Sequence, residues 1–193
     1  MFQTLVALLL LLPSSQPQRP VRVVMDTDLG QIEIEIDAAN APATAANFLK
    51  YVDAGLYDGG RFHRTVRPDN QREKPVKIAV IQGAANAARR TEFLPSIPLE
   101  RTSKTGLAHR DGTISMARDG PDTATDEFFI CVGDQPELDF GGKRNPDGQG
   151  FAAFGRVVRG MDVVRRIQES PAKGETLQPP VTIQRVRRSN AAL

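Results

Sequence analysis

The stretch from Gly112 to Val164 constrains the fold more than any other part of the chain. It contains three short apolar runs, ISMA, FFICV and FAAFGRVV, which are separated by polar loops rich in glycine and aspartate. Short runs of β-branched and aromatic residues between turn-forming loops are typical of β-strands. The stretch therefore favours a fold built from many short strands.

The rest of the sequence extends this pattern. Residues 21–27 and 31–36 predict an antiparallel hairpin, because the DLG sequence between them can turn and isoleucines alternate with polar residues. Helices are expected at 42–54, where Pro42 suits the first turn, and at 161–167. The other predicted strands cover residues 62–66, 78–82, 113–117, 128–132, 152–158 and 181–186.

Many short strands with only two helices favour a closed antiparallel barrel over a parallel sheet, because strands and helices do not alternate along the chain. Closure also removes exposed strand edges. The length of 193 residues fits one domain. We therefore predict a mainly β domain over residues 21–188, preceded by the segment 1–20 and followed by a tail at 189–193.

Composition excludes several classes of function. The net charge is only +2, from 25 basic and 23 acidic residues, and gives no reason to expect a nucleic-acid partner. The single cysteine, Cys131, excludes an internal disulfide, and its apolar neighbours predict a buried thiol. His63 is expected in the core and His109 in solvent, so they make a poor metal site, and we expect no cofactor. Ser115 lacks a neighbouring histidine or carboxylate motif, which gives no support for a hydrolase.

The N-terminal segment has the features of a secretory signal. Residues 5–12 form an apolar run that is too short to cross a bilayer, and Pro13 and two serines follow it. We expect export to the periplasm or beyond, with residues 14–20 as a linker and no stable membrane span. The alternative is a translation start further downstream.

One charged residue stands out inside a predicted strand. Arg64 lies in the run FHRTV, and a guanidinium between apolar strand residues is costly to bury unless its charge is used. This residue is our first candidate for a substrate site.

Six sequence motifs extend this candidate to a family. They are FHR at 62–64, IQG at 81–83, GTISMAR at 112–118, EFFI at 127–130, LDF at 138–140 and FGRVVRGMDVV at 154–164. In this order they resemble the cyclophilin family of peptidyl-prolyl cis/trans isomerases, over roughly residues 22 to 188, and its secreted bacterial branch most of all. The resemblance implies an eight-stranded barrel with a helix over each end.

The resemblance also implies a reaction and a set of site residues. An X-Pro bond isomerises over a barrier of about 18–20 kcal/mol, and a catalyst needs an apolar pocket, a hydrogen-bond donor and groups that hold the flanking backbone. By resemblance, Arg64 is the donor and Gln82 holds the substrate backbone and orients it. The other implied residues are the pocket floor Phe129, the wall residues Val80 and Leu138, the backbone contacts Ala117 and Arg118, and the cover Phe151.

The sequence departs from the family pattern at three places. Glu127 replaces a usual glutamine, and a carboxylate that only accepts hydrogen bonds can repel a substrate carbonyl or pair with Arg64. Ala79 and Val80 replace a Phe-Met pair, a loss of about 1–3 kcal/mol of apolar contact unless the loop 67–77 folds over the site. Glu137 replaces a frequent aromatic residue, which implies weak binding of the cyclic-peptide inhibitor.

Three functional hypotheses remain open from the sequence. The first is an isomerase that acts as a monomer on proline-containing peptides and unfolded proteins during the folding of exported proteins. The second is a proline-peptide-binding or chaperone module of the same fold with little activity. A pure interaction scaffold is a third, and it predicts that loss of the Arg64 side chain changes neither activity nor peptide binding.

Overall fold

The computed structural model describes residues 21–189. Its strands are β1 (Val21–Thr27), β2 (Gly30–Ile36), β3 (Gly60–Val66), β4 (Val80–Ala84), β5 (Thr113–Met116), β6 (Phe128–Cys131), β7 (Ala152–Arg159), β8 (Ala172–Lys173) and β9 (Thr176–Arg188). Its α-helices are α1 (Pro42–Asp53), α2 (Thr102–Thr105) and α3 (Met161–Glu169). The predicted signal segment 1–20 and residues 190–193 of the predicted tail lie outside the described residues.

The strands close into an antiparallel barrel. Their order is β1-β2-β7-β5-β6-β4-β3-β9, and β9 pairs back onto β1. The ninth strand, β8, is two residues long and pairs with β9 alone. The predicted eight-stranded closed barrel is therefore confirmed.

Both predicted helices lie over the barrel. Helix α1 starts with Pro42, as expected, and packs against β7 and β9. Helix α3 buries Val163, Val164 and Ile167 and packs against β2, β3 and β4. The sequence did not predict the four-residue α2 or the two 3₁₀ segments at Ala87–Glu92 and Pro136–Leu138.

Strand alternation separates two apolar clusters. In β6, Phe128 and Ile130 point into the barrel, whereas Phe129 and Cys131 belong to a second cluster on the other face of the sheet. Phe128 packs edge-on against Phe48 inside the barrel, at 5.8 Å between ring centroids. Cys131 is buried, as predicted, and burial raises the pKa of its thiol. The second cluster, outside the barrel, forms a candidate binding surface.

The start of β4 differs from the prediction. A strand was expected from residue 78, but Ile78 and Ala79 lie outside the sheet. The Gln71 side chain hydrogen-bonds both the N–H and the carbonyl of Ile78, and Gln135 accepts from the N–H of Ala79. The Ala79 carbonyl accepts from the N–H of Val132, but side chains take the place of a strand partner for the other three groups, which apolar periodicity does not reveal.

Candidate active site

A groove of about 1170 Å³ lies on the outer face of the barrel wall formed by β3, β4 and β6. Its floor is apolar, because the second cluster contributes Phe129, Val80 and Leu138, with Phe151 and Ala117 packed against them. Ligand pockets for small molecules occupy roughly 300–1,000 Å³. The groove therefore has room for an extended peptide segment. All nine predicted site residues line it: Arg64, Gln82, Phe129, Glu127, Val80, Ala117, Arg118, Leu138 and Phe151.

The register of four neighbouring strands brings the central residues together. Arg64 lies opposite Gln82, Gln82 lies opposite Phe129, and Phe129 lies opposite Ser115. Residues directly opposite each other on paired strands share a face of the sheet. The motifs FHR, IQG, EFFI and GTISMAR thus form one row across the barrel wall.

Arg64 is fixed on the groove wall by two partners. Its Nη1 donates to Gln82 Oε1 at 2.7 Å, and its Nε and Nη2 donate to Glu175 Oε2 at 2.9 and 2.5 Å. A guanidinium has five N–H donors. Three are engaged, so two remain for a ligand, and about a third of the side chain is exposed to the groove. Glu175 lies between β8 and β9 and was not predicted as part of the site.

Glu127 contacts Gln82 rather than Arg64. Gln82 Nε2 donates to Glu127 Oε2 at 2.5 Å, which turns the carbonyl of Gln82 toward Arg64. The suggested Glu127–Arg64 pair is therefore wrong, because Glu175 takes that place.

His63 lies on the groove wall, so its predicted place in the core is wrong. Its Nε2 is 3.8 Å from Glu127 Oε2, and a third of its side chain is exposed. Partial burial lowers the pKa of His63, and the nearby Arg64 and Arg61 add to this, while Glu127 opposes it.

A buried histidine supports the floor of the groove. His109 stacks on Phe129 at 5.8 Å between centroids and 17° between planes, and Phe151 meets Phe129 edge-on at 5.3 Å. His109 is 1% exposed, so the prediction of a solvated histidine is wrong. The Asp139 carboxylate lies 2.7 Å from His109 Nδ1 and also accepts from the backbone N–H of His109. These contacts offset the cost of burying the polar ring.

The two ring nitrogens of His109 contact Asp139 on one side and Ser115 on the other. His109 Nε2 lies 3.0 Å from Ser115 Oγ, a contact that the sequence did not predict. Burial alone would raise the pKa of Asp139, but the hydrogen bonds from His109 outweigh it and hold that pKa below its usual range. Ser115 is fully buried below Phe129, so no substrate carbonyl reaches its hydroxyl. The arrangement supports the floor and is not a hydrolase site.

The Arg118 side chain contacts the loop before Phe151, in addition to the backbone contact that the resemblance implied. The side chain is 1% exposed, ion-pairs with Asp147 at 2.7 Å and donates to the Gly150 carbonyl. Its guanidinium carbon lies 5.1 Å from the centre of the Phe151 ring. Arg118 therefore fixes the loop that carries Phe151. Next to it, the N–H of Ala117 donates to the Glu127 carbonyl.

Two loops rebuild the wall that the missing Phe-Met pair would supply. Lys74 and Pro75 of the loop 67–77 line the groove beside Ile78. Arg144, from the loop 139–150, donates through Nη1 to Gln71 Oε1 and to the Val76 carbonyl, both at 2.7 Å. The loop 67–77 thus does fold over the site, as the sequence analysis allowed.

Two features are absent from the part of the chain that the structure describes. Residues 21–189 contain no group of three or more histidine, cysteine, aspartate or glutamate side chains that could bind a metal ion. No helix within those residues combines the length and the apolar character that a membrane span requires.

These observations define a class of site. An open groove with an apolar floor and a fixed guanidinium suits a peptide, and it can act on an amide by hydrogen bonding without a covalent step.

Comparison with known proteins identifies the family. Residues 22–188 match the family described as "Cyclophilin type peptidyl-prolyl cis-trans isomerase/CLD". A peptidyl-prolyl cis-trans isomerase of Acinetobacter baylyi is 37% identical over 162 residues, which are 83% of this chain and 79% of the relative. Peptidyl-prolyl cis-trans isomerase B of Escherichia coli is 34% identical over 147 residues, 76% of this chain and 83% of the relative.

Solved structures agree on the fold. A cyclophilin-type isomerase of Cryptosporidium parvum superposes with a TM-score of 0.71 at 20% identity, covering 90% of this chain and all of the other. The chain belongs to the cyclophilin-type peptidyl-prolyl cis-trans isomerase family, and its activity is the cis–trans isomerisation of X-Pro bonds.

Proposed function

We propose that Arg64 is the catalytic donor and that it acts on X-Pro bonds of proline-containing peptides and unfolded proteins. The observation that carries this proposal is a guanidinium held by Gln82 and Glu175 at the edge of an apolar floor, with two donors left over. Because the guanidinium is already ordered, little entropy is lost when a substrate binds.

The prolyl ring sits on Phe129, between the wall residues Val80 and Leu138. All three side chains are almost fully buried in the protein and present apolar surface to the groove. An Arg64 N–H then donates to the prolyl bond and weakens its amide resonance, and each 1.4 kcal/mol or so taken from the barrier is about tenfold in rate. Phe151 covers the ring, and Gln82 sets the plane of the guanidinium.

Two observations keep the low-activity binding module as a second candidate. Arg64 has a carboxylate partner in Glu175, and the Gln82 amide is already bonded at both ends. Val80 also leaves less apolar wall than a Phe-Met pair would. If Glu175 and Glu127 compete with substrate for the donors of Arg64 and Gln82, the groove would hold a proline segment and turn it over slowly.

Turnover and affinity for the same peptide separate the two candidates. An Ala-Pro peptide is assayed for isomerisation coupled to proteolysis, and its affinity is measured by fluorescence anisotropy. The isomerase proposal predicts acceleration by the wild type and weaker binding by Phe129→Ala. Phe140→Ala is the control, because Phe140 is the most exposed large apolar side chain described and does not line the groove. Tight binding with only slight acceleration would favour the second candidate.

We further propose that the isomerase is exported and assists the folding of exported proteins as a monomer. The support is the apolar run at residues 5–12 followed by proline and serines. The full chain and a variant lacking residues 2–20 are expressed in a Gram-negative host and fractionated. We expect that only the full chain is exported and that the exported protein has the mass of a monomer by light scattering. Retention of both forms in the cytoplasm would refute the export proposal.

A further inference from the structure

The charges that line the groove are divided between its two ends. One end carries Lys74, Lys143 and Arg144, next to Pro75, and the carboxylates near it are Glu137, which bonds the Lys143 backbone, and Glu175. The other end is mixed, with the cations Arg61, Arg90 and Arg118, the imidazole of His63 and the carboxylates Asp119, Asp126 and Glu127. Peptide charges therefore meet different surroundings at the two ends of the groove.

The basic end is built by the two loops that contact each other. Arg144 bonds the side chain of Gln71 and the backbone of Val76, which joins the loop 139–150 to the loop 67–77. Lys143 precedes it, and its backbone N–H donates to Glu137 Oε2. The three cations thus occupy the place where the sequence lacks the Phe-Met pair and the aromatic residue at 137.

These three cations have no carboxylate partner. Among residues 21–189, no ion pair within 4.0 Å involves Lys74, Lys143 or Arg144. The nearby Glu175 is held by Arg64. Burial and the charge of Arg64 lower the pKa of Arg144, which Glu175 only partly offsets. With Glu175 engaged by Arg64 and Glu137 bonded to the Lys143 backbone, an anion at this end would reduce the remaining positive excess.

We propose that this basic end is a binding subsite for an acidic side chain of the substrate, so that the groove prefers proline segments with a nearby Asp or Glu. The inference rests on the proposed function, since it concerns the same groove. The groove is large enough for residues that flank the proline, and the two lysine side chains are exposed, with long flexible stems that can reach a carboxylate. Arg144 adds a fixed, partly buried donor.

Binding of matched peptides to the full chain tests the subsite. Two series of fluorescent Ala-Pro peptides are compared. In the first series, Glu or Gln is the second residue before the proline. In the other series, Glu or Gln is the second residue after the proline. Because a bound peptide runs through the groove in one direction, we expect a preference for Glu over Gln in only one of the two series. At low ionic strength the Glu peptide is expected to bind about three- to tenfold more tightly than the Gln peptide, and the ratio should fall toward one in high salt.

Two double variants locate the effect. Lys74→Gln/Lys143→Gln removes two charges from the basic end without touching the Arg144 bonds, and the Glu-to-Gln affinity ratio should fall close to one. Arg61→Gln/Arg90→Gln removes the same charge from the other end and should leave the ratio unchanged. Equal affinities for Glu and Gln peptides in both wild-type series, or equal effects of the two double variants, would overturn the inference. Turnover of the Gln peptide is measured separately, so loss of isomerase activity would count against the proposed function alone.

Discussion

Glu175 fixes the guanidinium of Arg64 from the side opposite Gln82. One carboxylate oxygen accepts from Nε at 2.9 Å and from Nη2 at 2.5 Å, although the two residues are 111 positions apart in the sequence. Glu175 therefore sets which two donors face the groove, and we regard it as a positioning residue.

Removal of the Glu175 carboxylate tests that role. Glu175→Ala should lower kcat/KM about tenfold, mainly through kcat, because the guanidinium loses two charge-assisted hydrogen bonds and rotates more freely. Glu175→Gln keeps one acceptor and should recover part of the loss. Equal or faster isomerisation by the alanine variant would show that Glu175 competes with substrate instead of positioning Arg64.

Glu127 should limit turnover through its contact with Gln82. Its carboxylate accepts the Gln82 amide N–H and presents negative charge to the groove. Glu127→Gln retains an acceptor for Gln82 and removes the charge that repels a substrate carbonyl, so kcat/KM should rise about two- to fivefold. The measurement is isomerisation of an uncharged Ala-Pro peptide, and an unchanged or lower value would contradict the hypothesis.

The floor of the groove should depend on His109 for stability. His109→Ala leaves a cavity under Phe129 and removes the partner of Ser115 and Asp139, which should lower the free energy of unfolding by about 2–4 kcal/mol. Urea unfolding measures this loss. His63→Ala is the matched control, because His63 lies on the groove wall, and a similar loss in both variants would contradict the assignment.

The pH dependence of stability should report His63. Its pKa is lowered in the folded chain, so the unfolded chain takes up this proton first as the pH falls below about 6.5. Folding stability therefore decreases with falling pH between about 6.5 and the folded pKa, and this contribution is constant outside that window. Urea unfolding at several pH values should show a smaller slope for His63→Asn than for the wild type. Identical slopes would contradict the prediction.

The sequence predicted the barrel from strand periodicity, whereas the site residues came from the resemblance to the cyclophilin family. Alternation in FFIC correctly separated Phe128 in the core from Phe129 in the groove. Register then places Arg64, Gln82 and Phe129 side by side. The family motifs lie on these strands, so recognising the motifs also located the groove.

What the sequence missed depends on contacts between distant loops. His109 is buried because it meets Asp139, thirty positions away, and nothing near His109 in the sequence indicates that partner. Glu175 and Arg144 reach the site from a turn and a loop with no periodic pattern. An acidic residue just before the last strand was the only available signal for Glu175, and such residues are common on surfaces.

The central claim is that the fixed guanidinium of Arg64 lowers the barrier to prolyl isomerisation. The direct test is NMR exchange spectroscopy of an Ala-Pro peptide, which measures cis–trans interconversion at equilibrium, with the wild type, Arg64→Lys and Arg64→Ala at equal occupancy. The account predicts a loss of about 100-fold for alanine and a smaller but clear loss for lysine, which keeps the charge but not the planar fork. Exchange by Arg64→Ala as fast as by the wild type would contradict it.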